Sequence, residues 1–201
     1  MAGVERRMLE RDGDEVARAT SIVRYAPKSR FSAHTHAGGE EFLVLDGTFS
    51  DETGDFPAGT YVRNPVGSSH TPSSAGGCVI FVKLWQMPPE DQNFVRIDIN
   101  DRAAWTQGEA GEEVLKLHVC PHEYVRILRW QAGIELSERS FPDGAEYFVL
   151  DGEFSDADDS YEKGTWLRIP PGGAHTPVTA PGCMVYIKTG HLSKTLPRPT
   201  G

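Results

Sequence analysis

Four residues give this sequence its chemistry: His34, His36, Glu40 and His70. The first three stand in the run Ser32-Ala-His34-Thr-His36-Ala-Gly-Gly-Glu40-Glu41. On a strand, residues two apart point to the same side, so His34 and His36 share a face. Glu40 keeps their parity and Glu41 does not. His70 follows a turn-rich lead, Gly59 to Ser69, into a strand able to run beside the first. Three imidazoles and one carboxylate converging inside an apolar fold suit one divalent transition metal, with iron, zinc, manganese and nickel all compatible. No organic cofactor is expected.

The sequence tests this reading against itself. Slid by the 105 residues that separate His70 from His175, it aligns without a gap from Ile22 to Lys83. Glu41-Phe-Leu-Val-Leu-Asp-Gly47 falls on Glu146-Tyr-Phe-Val-Leu-Asp-Gly152, and Phe49-Ser50-Asp51 on Phe154-Ser155-Asp156. Gly59-Thr60 falls on Gly164-Thr165, and His70-Thr71-Pro72 on His175-Thr176-Pro177. One module is written twice. Where the first copy has His34, His36 and Glu40, the second has Arg139, Phe141 and Ala145. Three of four candidate ligands vanish together, as a site would, so the metal is expected in the first module alone. Glu41 persists as Glu146 and reads as architecture. His70 persists as His175, so a strand-capping role for the His-Thr-Pro run stands beside the ligand role. Arg139 and His175 allow two readings of the second module, an anion site or a packed, inert interior. With Phe141 and Ala145 beside them, the packed interior is the expectation.

The elements that position these residues are strands. Ser21–Tyr25, Phe42–Leu45, Thr60–Arg63 and Val79–Trp85 are rich in β-branched and aromatic residues. Asp46-Gly47, Pro57-Ala-Gly59 and Val66-Gly67 punctuate them as turns. Short strands with Gly and Pro at the corners mean a sandwich or barrel. The 21 glycines and 14 prolines among 201 residues disfavour long helices. An all-β chain of two tandem modules follows, the metal-bearing one over 1–112 and the degenerate one over 113–201. Between the repeats, Phe94–Asp98 is strand-like, and Leu196–Gly201 reads as a frayed tail.

A net charge of −9 disfavours nucleic acid and anionic membranes, which need a basic patch. No apolar run approaches the roughly 20 residues of a membrane span. Met1–Asp14 has no apolar core and does not read as a secretory leader. Three scattered cysteines make neither a disulfide framework nor a CxxC zinc site. A reduced, cytoplasmic setting is expected. Cys78 and Cys183 match one another and read as buried apolar residues. His118 and His122 flank Cys120, but Pro121 breaks any helix that would align them, so surface or edge-strand positions are expected. The partner is expected to be a small-molecule substrate or ligand, and a homodimer is compatible with the sequence.

His34-x-His36-x3-Glu40-x6-Gly47 and Gly59-x5-Pro65-x-Gly67-x2-His70 resemble both signature motifs of the cupin family. The second motif departs only at its end, where Ser74 stands in place of the usual Asn. Through the repeat the resemblance spans most of the chain. It implies a bicupin, two double-stranded β-helix jelly rolls, with metal in the first. Gly39-Glu-Glu-Phe-Leu-Val-Leu-Asp-Gly47, Phe49-Ser-Asp51 and Ser69-His-Thr-Pro72 are most similar to the ChrR-type branch. That branch includes the metal-binding C-terminal domain of anti-sigma factors and is similar to small dioxygenases that cleave β-diketones. Such anti-sigma factors carry an N-terminal helical domain with a zinc-binding His/Cys cluster. Here no cysteine precedes Cys78, and about 20 residues precede the first expected strand of the barrel. The resemblance therefore implies a metal-dependent dioxygenase acting on a small dicarbonyl or related compound. Its alternative is a non-catalytic zinc-binding sensor module without the sigma-binding half.

Overall fold

β-Branched and aromatic residues recur along the chain, and glycine or proline interrupts them every few residues. Backbone hydrogen bonds are therefore made between strands rather than within helices. The computed structural model describes residues 3–13 and 16–193, and the tail expected at Leu196–Gly201 lies outside them. The described chain falls into two compact units that divide between Asn100 and Asp101.

The first unit contains β1 (Val4–Asp12), β2 (Arg18–Tyr25), β3 (Ser29–Arg30), β4 (His34–Thr35), β5 (Glu40–Asp51) and β6 (Gly54–Pro57). It continues with β7 (Thr60–Asn64), β8 (Ser69–His70), β9 (Ser73–Ser74), β10 (Cys78–Leu84) and β11 (Val95–Asp98). The second contains β12 (Thr106–Gln107), β13 (Glu112–Cys120), β14 (Glu123–Trp130), β15 (Ile134–Glu135), β16 (Arg139–Phe141) and β17 (Ala145–Ser155). Its remaining strands are β18 (Ser160–Glu162), β19 (Trp166–Ile169), β20 (Gly173–His175), β21 (Val178–Thr179) and β22 (Cys183–Thr189). Among the described residues the sole helix is a 3-10 turn at Arg102–Ala104, and no helix is long and apolar enough to cross a membrane.

In the first unit the main sheet runs β1-β2-β10-β5-β7-β11, and β4-β8 forms a separate ribbon. In the second the order is β12-β13-β14-β22-β17-β21-β15, with β16-β20 as the ribbon. Each sheet curls around its own apolar core. Val23, Phe42, Phe49, Val62, Ile80 and Val82 fill the first, and Leu128, Trp130, Tyr147, Phe154, Val185 and Ile187 the second. Each such side chain contributes about 1.5–3 kcal/mol on burial. These are two tandem cupin jelly rolls, all-β, as the sequence implies.

Two local expectations are corrected. The charged segment ahead of the first expected strand is itself a strand, β1, antiparallel to β2 at the sheet edge. Its charged residues Glu5, Arg6, Arg7, Glu10 and Arg11 suit an edge, where charge discourages further pairing. Its counterpart β13 has the same length and a bulge at the same place, Met8/Glu10 in one and Lys116/His118 in the other. The duplication thus reaches beyond Ile22, where side-chain similarity ends. Asp46-Gly47, read as a turn between strands, instead lies inside β5. Leu45 bulges out of the ladder there, and Gly47 takes φ +70. A Cβ on Gly47 would meet the Gly77 carbonyl at 2.1 Å. The bulge bends one long strand from the main sheet into the opposite wall.

Candidate metal centre

The β4-β8 ribbon sets the first contacts, with His34 opposite His70 and Thr35 opposite Ser69. Thr35 Oγ1 and Ser69 Oγ lie 2.9 Å apart and pin the ribbon on its other side. The chain then turns. The amides of Gly39 and Gly67 both donate to the His36 carbonyl, at 3.2 and 2.9 Å, and β5 opens at Glu40 opposite Asn64. The shared-strand parity expected for His34, His36 and Glu40 is corrected here. Only His34 lies in β4, and the Ala37-Gly38-Gly39 turn, not strand alternation, aims Glu40. The turn requires its glycines: a Cβ on Gly38 would sit 2.2 Å from the Trp85 ring, and Gly39 has φ +74.

The three imidazoles form a tight group. Their ring centroids are 4.6 to 5.0 Å apart, and one ring nitrogen of each lies within 4.8 Å of the others. Glu40 Oε2 closes on the group, 3.4 Å from His36 Nε2 and 3.6 Å from His70 Nε2. Both nitrogens are buried and have no hydrogen-bond partner. Donor atoms bound about 2.1 Å from one ion stand roughly 3.0–3.4 Å apart as neighbours, so this spacing fits a cation between them.

Electrostatics point the same way. Burial, with the neighbouring imidazoles, holds His36 down at about 3, and burial lowers His70 despite the Asp51 contact. Both are therefore neutral, with lone pairs available. Burial pushes the Glu40 carboxyl up to about 7, against the hydrogen bond from Asn64 Nδ2 at 3.3 Å. A divalent cation would supply the countercharge that this buried carboxylate lacks. His70 Nδ1 donates to Asp51 Oδ2 at 3.1 Å and His34 Nδ1 to the Ser32 carbonyl at 3.2 Å, which leaves each Nε2 as the electron-pair donor. Asn64 is fixed in turn, because Arg96 Nη2 donates to its Oδ1 at 2.7 Å and so its amide must face Glu40.

Glu41, one residue on, faces away from this group. Its Oε2 accepts from Arg63 at 2.9 Å and from the Tyr61 hydroxyl at 2.8 Å. Arg63 also reaches Asp91 Oδ2 at 2.8 Å, and the whole cluster is buried.

The second unit shows what the fold keeps without the ligands. Arg139 faces His175 across β16-β20, the place of His34 facing His70. His175 Nδ1 donates to Asp156 Oδ2 at 3.0 Å, the same His-Asp pair as His70-Asp51. Its Nε2 then accepts from the Tyr147 hydroxyl at 3.1 Å. Tyr147 stands where the first copy has Phe42, so His175 is satisfied where His70 Nε2 is left open. Phe141 packs against Tyr147 and His175, with centroids 6.1 and 5.9 Å apart.

Of the other histidine motif, His118 and Cys120 lie on β13 and His122 falls in the turn that follows. His118 and Cys120 bring donor atoms within 4.8 Å of each other and of Glu123, the cross-strand partner of Cys120. Lys188 engages Glu123 at 2.7 Å. His118 is buried rather than on the surface, although β13 is an edge at this point. Three contributors to the first site escape sequence reasoning: Asp51, Asn64 and Arg96. For Asp51 a signal is present, because both Asp51 and His70 survive in the second copy, as Asp156 and His175. Asn64 and Arg96 have no such signal, since only strand register brings them to Glu40.

Comparison with known proteins bears on the fold and the family. No curated protein matches the sequence significantly. Among solved structures, a candidate dioxygenase from Nostoc punctiforme is similar over 98% of this chain and 77% of its own, with TM-score 0.79 and 16% identity. A point mutant of salicylate 1,2-dioxygenase from Pseudoaminobacter salicylatoxidans is similar over 89% of this chain and 72% of its own, with TM-score 0.66 and 12% identity. The protein Ylba from E. coli is similar over 94% and 83%, with TM-score 0.70 and 16% identity. At these identities the likeness concerns the fold. The family model of the ChrR cupin-like domain matches residues 1–88 and again residues 93–193. With nearly the whole chain matched in two segments, the protein belongs to the ChrR cupin-like family and carries its domain twice.

Proposed function

We propose that the first barrel holds one divalent transition metal through His34, His36, His70 and Glu40, and that the protein is a dioxygenase-like enzyme for a small dicarbonyl or related compound. The observation that carries this reading is the pair of buried, unpartnered Nε2 atoms facing the Glu40 carboxylate. Four protein donors on a six-coordinate ion leave two positions, enough for a chelating enolate or for substrate and dioxygen. Bound iron would supply Lewis acidity and an electron. The protein does the rest. Asp51 holds the His70 ring in orientation, and Asn64 and Arg96 hold Glu40. The apolar wall of Phe42 and Phe49 limits water at the inner side.

The family match favours a second reading, in which zinc saturated by the four protein donors makes a sensor module rather than an enzyme. Metal analysis of protein purified without added metal, followed by oxygen uptake with simple β-diketones after Fe(II) loading, separates the two. One metal per chain and substrate-dependent oxygen uptake are expected. Stoichiometric zinc with no uptake after iron loading selects the sensor. Two tight metals per chain, or one that survives replacement of His34 and His36 together by Ala, overturns the site.

A further inference from the structure

The second barrel repeats the shape of the first but not its interior charge. Across β2, β10 and β5 one inward row reads Ser21, Val82, Phe42. The same row across β14, β22 and β17 reads Arg126, Ile187, Tyr147. Residues in register share a face of the sheet, so Arg126 extends from the wall that Ile187 and Tyr147 present to the core. Its guanidinium carbon lies 4.4 Å from the Tyr124 ring centroid. Its Nε is buried without a hydrogen-bond partner, and among the described residues no carboxylate pairs with it.

A second guanidinium lies in the same interior. Arg139 replaces His34 and is held firmly: Nη2 donates to Glu112 Oε2 and, at 3.3 Å, to Glu109 Oε1, and the group also donates to the Tyr147 hydroxyl. It stands over the Trp130 ring at 5.5 Å, and Trp130 Nε1 donates to the same Glu112 oxygen at 2.7 Å. Its Nε is also buried and unpartnered. Arg139 is close enough to depress the proton affinity of Arg126, which burial lowers first. Arg139 is thus paired with two carboxylates, buried Glu112 and the more exposed Glu109, and neither forms an ion pair with Arg126. Tyr147 gives its proton to His175 and cannot serve a ligand. Arg126 is left without an ion-pair partner among the described residues. A purely packed barrel has no use for a half-buried guanidinium whose buried Nε makes no hydrogen bond.

We propose that the second barrel is a binding site for a small organic carboxylate, seated on Arg126 with Arg139 as its second wall. A single negative charge would give Arg126 the partner it lacks. The planar guanidinium fork suits a carboxylate, and the surrounding Tyr124, Trp130 and Phe141 rings suit a flat, apolar body behind it. The proposal does not depend on the metal reading of the first barrel. The duplication exchanged a cation-binding donor set for a fixed cationic one.

The test uses the whole chain, with acetate and benzoate as probes and inorganic phosphate alongside, read by calorimetric titration and thermal melting. Benzoate is expected to bind one per chain and to raise the melting temperature. Arg126→Met is expected to melt higher than the parent without ligand, since it removes a half-buried charge that has no ion-pair partner, and to bind benzoate about tenfold more weakly or worse. Arg126→Lys is expected to retain part of the affinity, and both variants to keep the parent's metal content. No binding of either carboxylate by the parent, or equal benzoate affinity in Arg126→Met, overturns the proposal. Tighter binding of phosphate than of benzoate overturns the carboxylate assignment. Should Arg126→Met fail to fold, the parent titration and Arg126→Lys decide: affinity in Arg126→Lys equal to the parent's speaks against the site.

Discussion

At the scale of single residues, adjacent carboxylates do opposite work. Glu40 faces two imidazoles, and Glu41 faces Arg63 and Tyr61 on the other side of the sheet. Glu40→Ala is expected to weaken metal binding or change the spectrum of a cobalt-substituted protein, with little change in melting. Glu41→Ala is expected to leave metal binding intact and to destabilise the fold by about 3 kcal/mol, because it strips one partner from a buried arginine. Chemical denaturation beside metal titration distinguishes them, and an inverted pattern would reverse the assignment. Asp51 acts through His70. Asp51→Asn is expected to lower metal affinity about 10–100-fold, the usual cost of losing the group that orients a ligating histidine. The matched change Asp156→Asn should leave metal affinity untouched, and an equal loss in both variants would show that Asp51 supports the fold rather than the ligand.

At the scale of elements, the ribbon between two short strands is the device both barrels share, and its contents decide the chemistry. In β4-β8 it presents His34 and His70 toward an open, electron-rich cluster. In β16-β20 it presents Arg139 and His175 toward Phe141, Tyr147 and Asp156. Phe141 takes the volume that His36 occupies in the first copy, and an aromatic ring there packs against two others. Phe141→Ala is expected to cost about 3 kcal/mol or more, by loss of buried area and the cavity left behind. Denaturant midpoints with metal analysis check it. Unchanged stability with lost metal would place the second barrel in the chemistry of the first.

At the scale of the molecule, each barrel holds a carboxyl lowered by hydrogen bonds, Asp51 in the first and Asp156 in the second. Asp156 is partly buried, which alone raises its carboxyl, but hydrogen bonds from the Asp158 and Asp159 amides, His175 and Tyr161 outweigh this and lower it. A carboxyl whose folded value lies below its unfolded one stabilises the fold above the unfolded value. That contribution drains away as pH falls through the lowered value. Melting temperature is therefore expected to fall on acidification below the ordinary aspartate range, and Asp156→Asn to flatten this part of the profile. A profile identical in the variant would assign the acid sensitivity elsewhere.

The repeat, the all-β class and the gathering of His34, His36, Glu40 and His70 are legible in the residues because duplication writes its own control. What one copy keeps alone, His34, His36 and Glu40, marks the candidate site, and what both keep reads as fold, with His70 the exception because its copy His175 survives without them. The joint survival of His70 with Asp51, as His175 with Asp156, marks the His-Asp contact. The sequence is a poor guide wherever the backbone departs from regular alternation. The Ala37-Gly38-Gly39 turn aims Glu40, the bulge at Leu45 carries β5 through an apparent turn, and β1 hides in a run of charges. Register is a long-range property, set by which strands pair and where each ladder slips, and no local pattern encodes it. For that reason only the tertiary structure brings Asn64 and Arg96 to Glu40, closes Tyr147 onto His175, and leaves Arg126 inside the second barrel with no carboxylate among the described residues to pair with it.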